Sequence, residues 1–138
     1  METIVPYTAA IISLLLFTLI VLLQSALVGA GKAKAGLTPG SDPKVDYDSP
    51  IYRLNRSHQN GVEIMPAAAI ALFTSIFLGV SPGWVNMLMA VFLLTRIIYV
   101  AIYARNVGKP TQGVRTIIFV LGWATLVALC LMSIWALI

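Results

Sequence analysis

Four long apolar runs, divided by three short polar segments, account for nearly the whole chain. The first, Ile4 to about Ala30, exceeds the roughly 20 residues that cross a bilayer as a helix. The second, Ile64 to Val80, is only about 17 residues long, at the short end of what spans, so part of the helix upstream is expected to stand at the membrane surface. The third extends from Trp84 to about Ala104 and the fourth from about Val114 to Ile138. Gly29 to Pro50 is rich in Gly, Pro, Asp, Ser and Lys and reads as a polar loop, with its turn signals densest from Thr38 to Pro43. Ser81-Pro82-Gly83 marks a tight turn, and Gly108, Lys109, Pro110 and Gly113 supply turn chemistry between Arg105 and Gly113. The pattern predicts an all-α integral membrane four-helix bundle, one domain over residues 1–138, with helices at about 4–30, 53–80, 84–104 and 114–137.

Polar residues inside or beside the runs carry more information than the runs themselves. Arg53, Arg56, Asn60 and Glu63 are spaced by three, four and three, so a helix places them within roughly 80° of arc. Pro66 sets two alternatives: a helix kinked there but continuous through the arginines, or a helix that begins there and leaves Arg56 to Glu63 in a loop. Arg96, Tyr99 and Tyr103, spaced by three and four, share one face within roughly 60°. An arginine so deep in an apolar helix costs on the order of 3 kcal/mol if it faces lipid. It is expected to point into the bundle, where a purely structural pair with Glu63 competes with any functional role for both residues. Gln24 is expected to face other helices, and Ala67, Ala71, Ser75 and Gly79 form a ridge of small residues that lets a helix approach closely.

Composition agrees with a membrane protein, since 59% of the chain is hydrophobic and only 10% charged, against roughly 25% charged in soluble domains. The net charge of +4 is scattered between the runs with no nucleic-acid motif, so no nucleic-acid partner is expected and the charge reads as topology. Met1-Glu2-Thr3 lacks the basic residues of a signal peptide, so the first run is expected to be a retained transmembrane helix. All nine basic residues fall on one side of the bundle, which predicts that both termini lie outside and that the first and third connections are cytoplasmic. Tyr7, Trp84 and Trp135 are then expected in an outer aromatic belt. The single cysteine, Cys130, excludes an intrachain disulfide and a cysteine zinc cluster and is expected to be a buried thiol. No metal site is expected, and no common hydrolytic, redox or nucleotide motif is present.

One membrane face thus collects Arg53, Arg56, Asn60, Glu63, Arg96, Tyr99, Tyr103 and Arg115, a set in which cations outnumber the single carboxylate. The motif Arg53-x-x-Arg56-x-His58-Gln59-Asn60-x-x-Glu63-x-x-Pro66, followed by Arg96-x-x-Tyr99-x-x-x-Tyr103 and a basic residue opening the last helix, resembles the MAPEG family, membrane-associated proteins in eicosanoid and glutathione metabolism. The resemblance is to a bacterial-type member, and the third connection, Ala104 to Val114, is longer than in the best-known eukaryotic members, which makes Arg105 a rival of Arg115 as the basic residue of the last helix. The resemblance implies a homotrimer binding glutathione as co-substrate between subunits, near the cytosolic face. It also implies a transferase or peroxidase activity toward a lipophilic small molecule that enters from membrane lipid, and a second helix continuous through the arginine stretch.

By that resemblance Arg53 and Arg56 take carboxylates, for which a guanidinium fork is suited. Asn60 hydrogen-bonds the glutathione backbone, Glu63 holds its ammonium, Arg96, Tyr99 and Tyr103 complete the binding residues, and Arg115 is the catalytic residue that stabilises the thiolate. Arg105 is the alternative to Arg115, and His58, on the opposite side of an ideal helix from Arg56, is left out of the core site. A second class of function is a non-catalytic member of the family that binds a lipid or a partner protein.

Overall fold

The computed structural model describes residues 4–109 and 113–138; the leader Met1-Glu2-Thr3 and the turn residue Pro110 lie outside the described residues. Among the described residues there are four long helices and no strand: α1 (Thr8–Lys34), preceded by one 3-10 turn at Val5–Tyr7, α2 (Pro50–Phe77), α3 (Pro82–Ala104) and α4 (Val114–Trp135). All four are long and apolar enough to cross a membrane, α2 being the least apolar, and the chain is a multi-pass integral membrane protein. The 28 residues of α2 span about 42 Å at 1.5 Å per residue, against a hydrocarbon core of roughly 30 Å. The helix is therefore longer than the apolar layer is thick, and the excess matches its polar first third. α2 runs uninterrupted through Pro66, which removes the alternative of a helix beginning there.

The helix ends differ from expectation by a few residues, for identifiable reasons. α1 continues four residues past Ala30 to Lys34 and stops where Gly36 takes a left-handed φ of 68°, with the Leu37 amide bonded to the Lys32 carbonyl at 3.0 Å. α2 and α3 start early, at Pro50 and Pro82, because proline suits the first helical turn, where its missing N–H would have no partner. α2 ends at Phe77 because Gly79, φ 67°, closes the same motif, the Val80 amide reaching the Ser75 carbonyl at 3.0 Å.

α2 and α3 form the middle of the bundle, each packed against all three other helices, while α1 and α4 flank them. Phe17 of α1 meets Phe92 of α3 edge to face at 5.0 Å, surrounded by the fully buried Leu72, Met89 and Leu129. Of the expected ridge of small residues α2 buries Ala71 and Ser75; Ala67 is exposed and Gly79 lies beyond the helix, so the ridge holds only at its centre. Ser75 Oγ lies 2.9 Å from Ser133 Oγ of α4, and Gln24 of α1 donates to Ser57 Oγ at 2.9 Å, a hydrogen bond within the bundle. Cys130 is exposed on α4 rather than buried.

At the end of the bundle that holds the Ser81 turn, α1 has no cap of its own. Asn86 of α3 supplies one, its Oδ1 accepting the Ala10 amide at 2.9 Å and its Nδ2 donating to the Pro6 carbonyl at 2.8 Å. Tyr7, expected in the aromatic belt, is instead buried and donates its hydroxyl to the Val80 carbonyl at 2.6 Å. Trp84 and Trp135 are exposed, as belt residues are.

Arg96 is buried to 2% exposure, and its partner is not Glu63. Nη1 donates to Asn60 Oδ1 at 3.1 Å and Nη2 to the Ile118 and Phe119 carbonyls of α4 at 3.3 and 3.4 Å, with Glu63 exposed and uninvolved. The rings of Phe92, Tyr99 and Phe119 lie 5.2 to 5.8 Å from the guanidinium carbon, giving it further cation–π attraction. This crossing depends on Gly122, where an added Cβ would stand 2.5 Å from both Arg96 Nη2 and Thr95 Oγ1.

Three stability predictions result. Gly122→Ala is expected to cost about 1–3 kcal/mol through overpacking, seen as a lower thermal midpoint in detergent. Gly29→Ala, whose Cβ would meet nothing within 4 Å, is expected to be neutral or to stabilise α1 by about 1 kcal/mol. Asn86→Ala is expected to lower the midpoint by a loss of about 1–3 kcal/mol, because it leaves the α1 amide without its acceptor; Trp84→Ala is the control expected to leave it unchanged.

Candidate functional site

The polar groups gather at the other end of the bundle, where the loop 35–49, the first turns of α2, the end of α3 and the start of α4 meet. A helix advances about 100° per residue, so positions seven apart return to within about 20° of each other. Arg53 and Asn60 therefore share one edge of the polar arc, and Arg56 and Glu63 share the other. The first edge faces inward, with Arg53 8% and Asn60 7% exposed, while Arg56 is half-buried and Glu63 exposed. The four residues expected on one face are thus divided between the core and the surface.

Arg53 is occupied within the chain. Its Nε donates to the Tyr103 carbonyl at 3.0 Å and its Nη1 to the Tyr47 and Asp48 carbonyls at 2.7 and 2.8 Å, which fastens the loop to the end of α3. Tyr99 and Tyr103 are buried with ring centroids 4.7 Å apart, one beside Arg96 and the other beside Arg115. Arg115 is 3% exposed and lies with its guanidinium carbon 4.8 Å from the Tyr103 ring and 5.2 Å from that of Tyr47. Its Nε donates to the Val107 carbonyl at 3.0 Å and its Nη2 to Asn106 Oδ1 at 2.8 Å; Nη1 is buried with no hydrogen-bond partner among the described residues. Arg105, the alternative cation, is exposed.

On the outward edge, Arg56 donates to Gln59 Oε1 at 3.2 Å, and Gln59 in turn donates to Asp42 of the loop at 2.9 Å. Arg56, His58, Gln59, Val62 and Glu63 line a depression of about 440 Å³. Asn60 and Glu63, with Ile64, Ala67, Phe119 and Trp123, line a second of about 260 Å³. Glu63 is common to both, one polar and one largely apolar and aromatic. On the other side of α2, His58 contributes with Lys32, Asp42 and Asn55 to a pocket of about 660 Å³ against α1 and the loop. Among the described residues no cluster of metal-ligating side chains is found.

The arrangement is therefore a double layer. Arg53, Arg96 and Arg115 are buried on carbonyls, amides and aromatic faces, and none of their hydrogen-bond partners is a carboxylate. In front of them stand Arg56, Asn60 and Glu63. The arrangement has an excess of cations suited to anionic groups and, in Glu63, an exposed carboxylate suited to a cation. Sequence reasoning missed Tyr47, Gln59 and Asn106, the neutral groups that position the arginines. Their signal was faint: Tyr47 and Asn106 lie in segments read as loops, and Gln59 stood in the quoted motif without a role.

A search of curated proteins returns no match. Against models of known protein families, residues 8–135 match the MAPEG family. With nearly the entire length covered, including all four helices and the arginine-rich end just described, the chain belongs to the MAPEG family.

Proposed function

We propose that the protein is a membrane-bound glutathione-dependent transferase or peroxidase acting on lipophilic electrophiles, that it assembles as a homotrimer with glutathione held between subunits, and that its arginine-rich end is cytoplasmic with both termini outside. The family includes glutathione transferases and peroxidases, which gives the class. The observation that carries the reading is the placement of Glu63, the acid of the membrane helices, beside Arg56 where a polar and an aromatic depression meet in front of three buried guanidinium groups. Glutathione bears two carboxylates, one ammonium and a thiol, which calls for an excess of cations, one anion and a group that favours thiolate.

The burial pattern refines the roles. Arg56 faces outward and takes a carboxylate, Glu63 takes the ammonium, and Asn60 offers its amide to the peptide portion while its Oδ1 accepts from Arg96. Arg53, Arg96, Tyr99 and Tyr103 act from behind, fixing the loop and the helices and adding positive potential. Arg115 favours the thiolate. A free thiol ionises near pH 8.5, and a guanidinium at about 4 Å with an effective dielectric near 20 supplies roughly 4 kcal/mol, where each pKa unit needs about 1.36 kcal/mol. Half of that interaction lowers the thiol pKa by about 1.5 units, which raises the thiolate from a few per cent to about half at neutral pH. In conjugation the sulfur forms a bond to the electrophilic carbon while the leaving group departs with its electron pair.

The second reading, a non-catalytic lipid- or protein-binding member of the family, draws on one observation: Arg53, and both Nη atoms of Arg96, are bonded within the chain, so part of the motif has a structural use without any ligand. Titration of detergent-purified protein with glutathione, combined with a conjugation assay using a chlorodinitrobenzene, separates the two. Saturable binding is expected, weakened about 10- to 100-fold by Arg56→Ala or Glu63→Ala, the loss of about 1.4–3 kcal/mol typical of a charged hydrogen bond. Arg115→Ala is expected to retain binding while turnover at neutral pH falls at least about tenfold. Absence of saturable glutathione binding by the parent would overturn the enzyme reading in favour of the second.

A further inference from the structure

α3 ends in the same hydrogen-bonded motif as α1 and α2, but its left-handed position is filled by Asn106, φ 54°, where the other two helices use Gly36 and Gly79. The Val107 amide reaches the Ile102 carbonyl at 2.9 Å, completing the cap. Glycine adopts this conformation at no steric cost, and asparagine is the next most tolerant residue. A side chain here has a use, and its contacts define it. Oδ1 accepts Arg115 Nη2 at 2.8 Å, the adjacent Val107 carbonyl accepts Arg115 Nε at 3.0 Å, and Nδ2 makes a long 3.5 Å bond to Asp48 Oδ1 of the loop.

One turn thus presents two acceptors to one edge of the guanidinium. The Tyr103 and Tyr47 rings flank the group, and the remaining nitrogen, Nη1, is buried and meets no acceptor among the described residues. Both acceptors are neutral. Arg115 is held in place without losing its charge, whereas a carboxylate at the same position would hold it equally well and cancel the field that a thiolate needs.

We propose that Asn106 is a positioning residue for the thiol chemistry: its amide, with the Val107 carbonyl, locks the Nε–Nη2 edge of Arg115 and reserves Nη1 for the glutathione sulfur. The inference rests on the reading of Arg115 as the thiolate partner. Asn106 acts through Arg115 and does not itself touch the substrate.

The test is the pH dependence of kcat/KM and of the thiolate ultraviolet absorption of bound glutathione, measured on the full-length protein in detergent. Asn106→Gly keeps the left-handed cap and deletes the acceptor; Asn106→Asp keeps an acceptor and adds a charge. Both are expected to bind glutathione within about twofold of the parent while the titration midpoint rises by about one unit, a tenfold loss of thiolate at neutral pH. A purely structural role would leave the midpoint of folded Asn106→Gly unchanged, and that result overturns the proposal. Arg115→Ala distinguishes the two possible failures. A raised midpoint there with parental midpoints in both Asn106 variants overturns the positioning role alone; a parental midpoint in Arg115→Ala overturns the thiolate assignment and the inference with it. If Asn106→Gly does not fold, Asn106→Ala, which deletes the acceptor without adding a charge, carries the test.

Discussion

Burying guanidinium groups in a membrane bundle without a carboxylate beside them is the constraint on which the loop end of this protein depends. A charge removed from water must be met by other polar atoms or its burial is prohibitive. Here the atoms are mostly backbone carbonyls. Arg53 draws on three of them, from Tyr47, Asp48 and Tyr103, and Arg96 on two from α4 together with the Asn60 amide oxygen. Because each arginine reaches carbonyls on elements other than its own, satisfying the charge also crosslinks the fold: α2 to the loop and α3, α3 to α2 and α4, and α4 to the turn that follows α3.

The opposite end obeys a different rule. Tyr7, Val80 and Asn86 close it with neutral hydrogen bonds, and the side chains that latch it carry no charge. The polarity of the bundle is therefore built from two solutions to one problem, the unmatched backbone groups at helix ends in an apolar medium. One end uses neutral side chains from a neighbouring helix. The other uses cations, which satisfy carbonyls and leave a positive potential behind.

Much of this was legible in the sequence, and the parts that were not share a cause. Helix number and the same-end gathering of Arg53, Arg56, Asn60, Glu63, Arg96 and Arg115 follow from hydropathy and spacing, which depend only on residue type and helical period. Partner choice does not. Glu63 was the obvious mate for Arg96 by charge, yet carbonyls and an amide that carry no formal charge took its place. Tyr7 and Cys130 were misplaced because hydropathy fixes depth in the membrane and not which way a side chain faces. The division of the arc into an inner pair and an outer pair was available from the seven-residue spacing alone, once that edge was asked to choose between core and surface.

The amides decide how much of the positive potential survives. Asp42 reaches Arg56 only through Gln59, and Asp48 reaches Arg115 only through Asn106. In both relays the carboxylate accepts from an amide nitrogen while the amide oxygen accepts from the arginine. Direct contact at about 4 Å would cancel roughly 4 kcal/mol of the arginine's attraction for an anion at an effective dielectric near 20, and twice that separation cancels about half as much. Asp42 and Asp48 are also exposed to solvent, which weakens their reach further. The amide spacer thus gives orientation, which a hydrogen bond supplies at any net charge, without neutralisation, which requires proximity of opposite charges. That separation is what allows a bundle with several loop aspartates to present an end whose balance remains cationic, and it accounts for the use of Asn and Gln where Asp or Glu would have made the stronger individual bond.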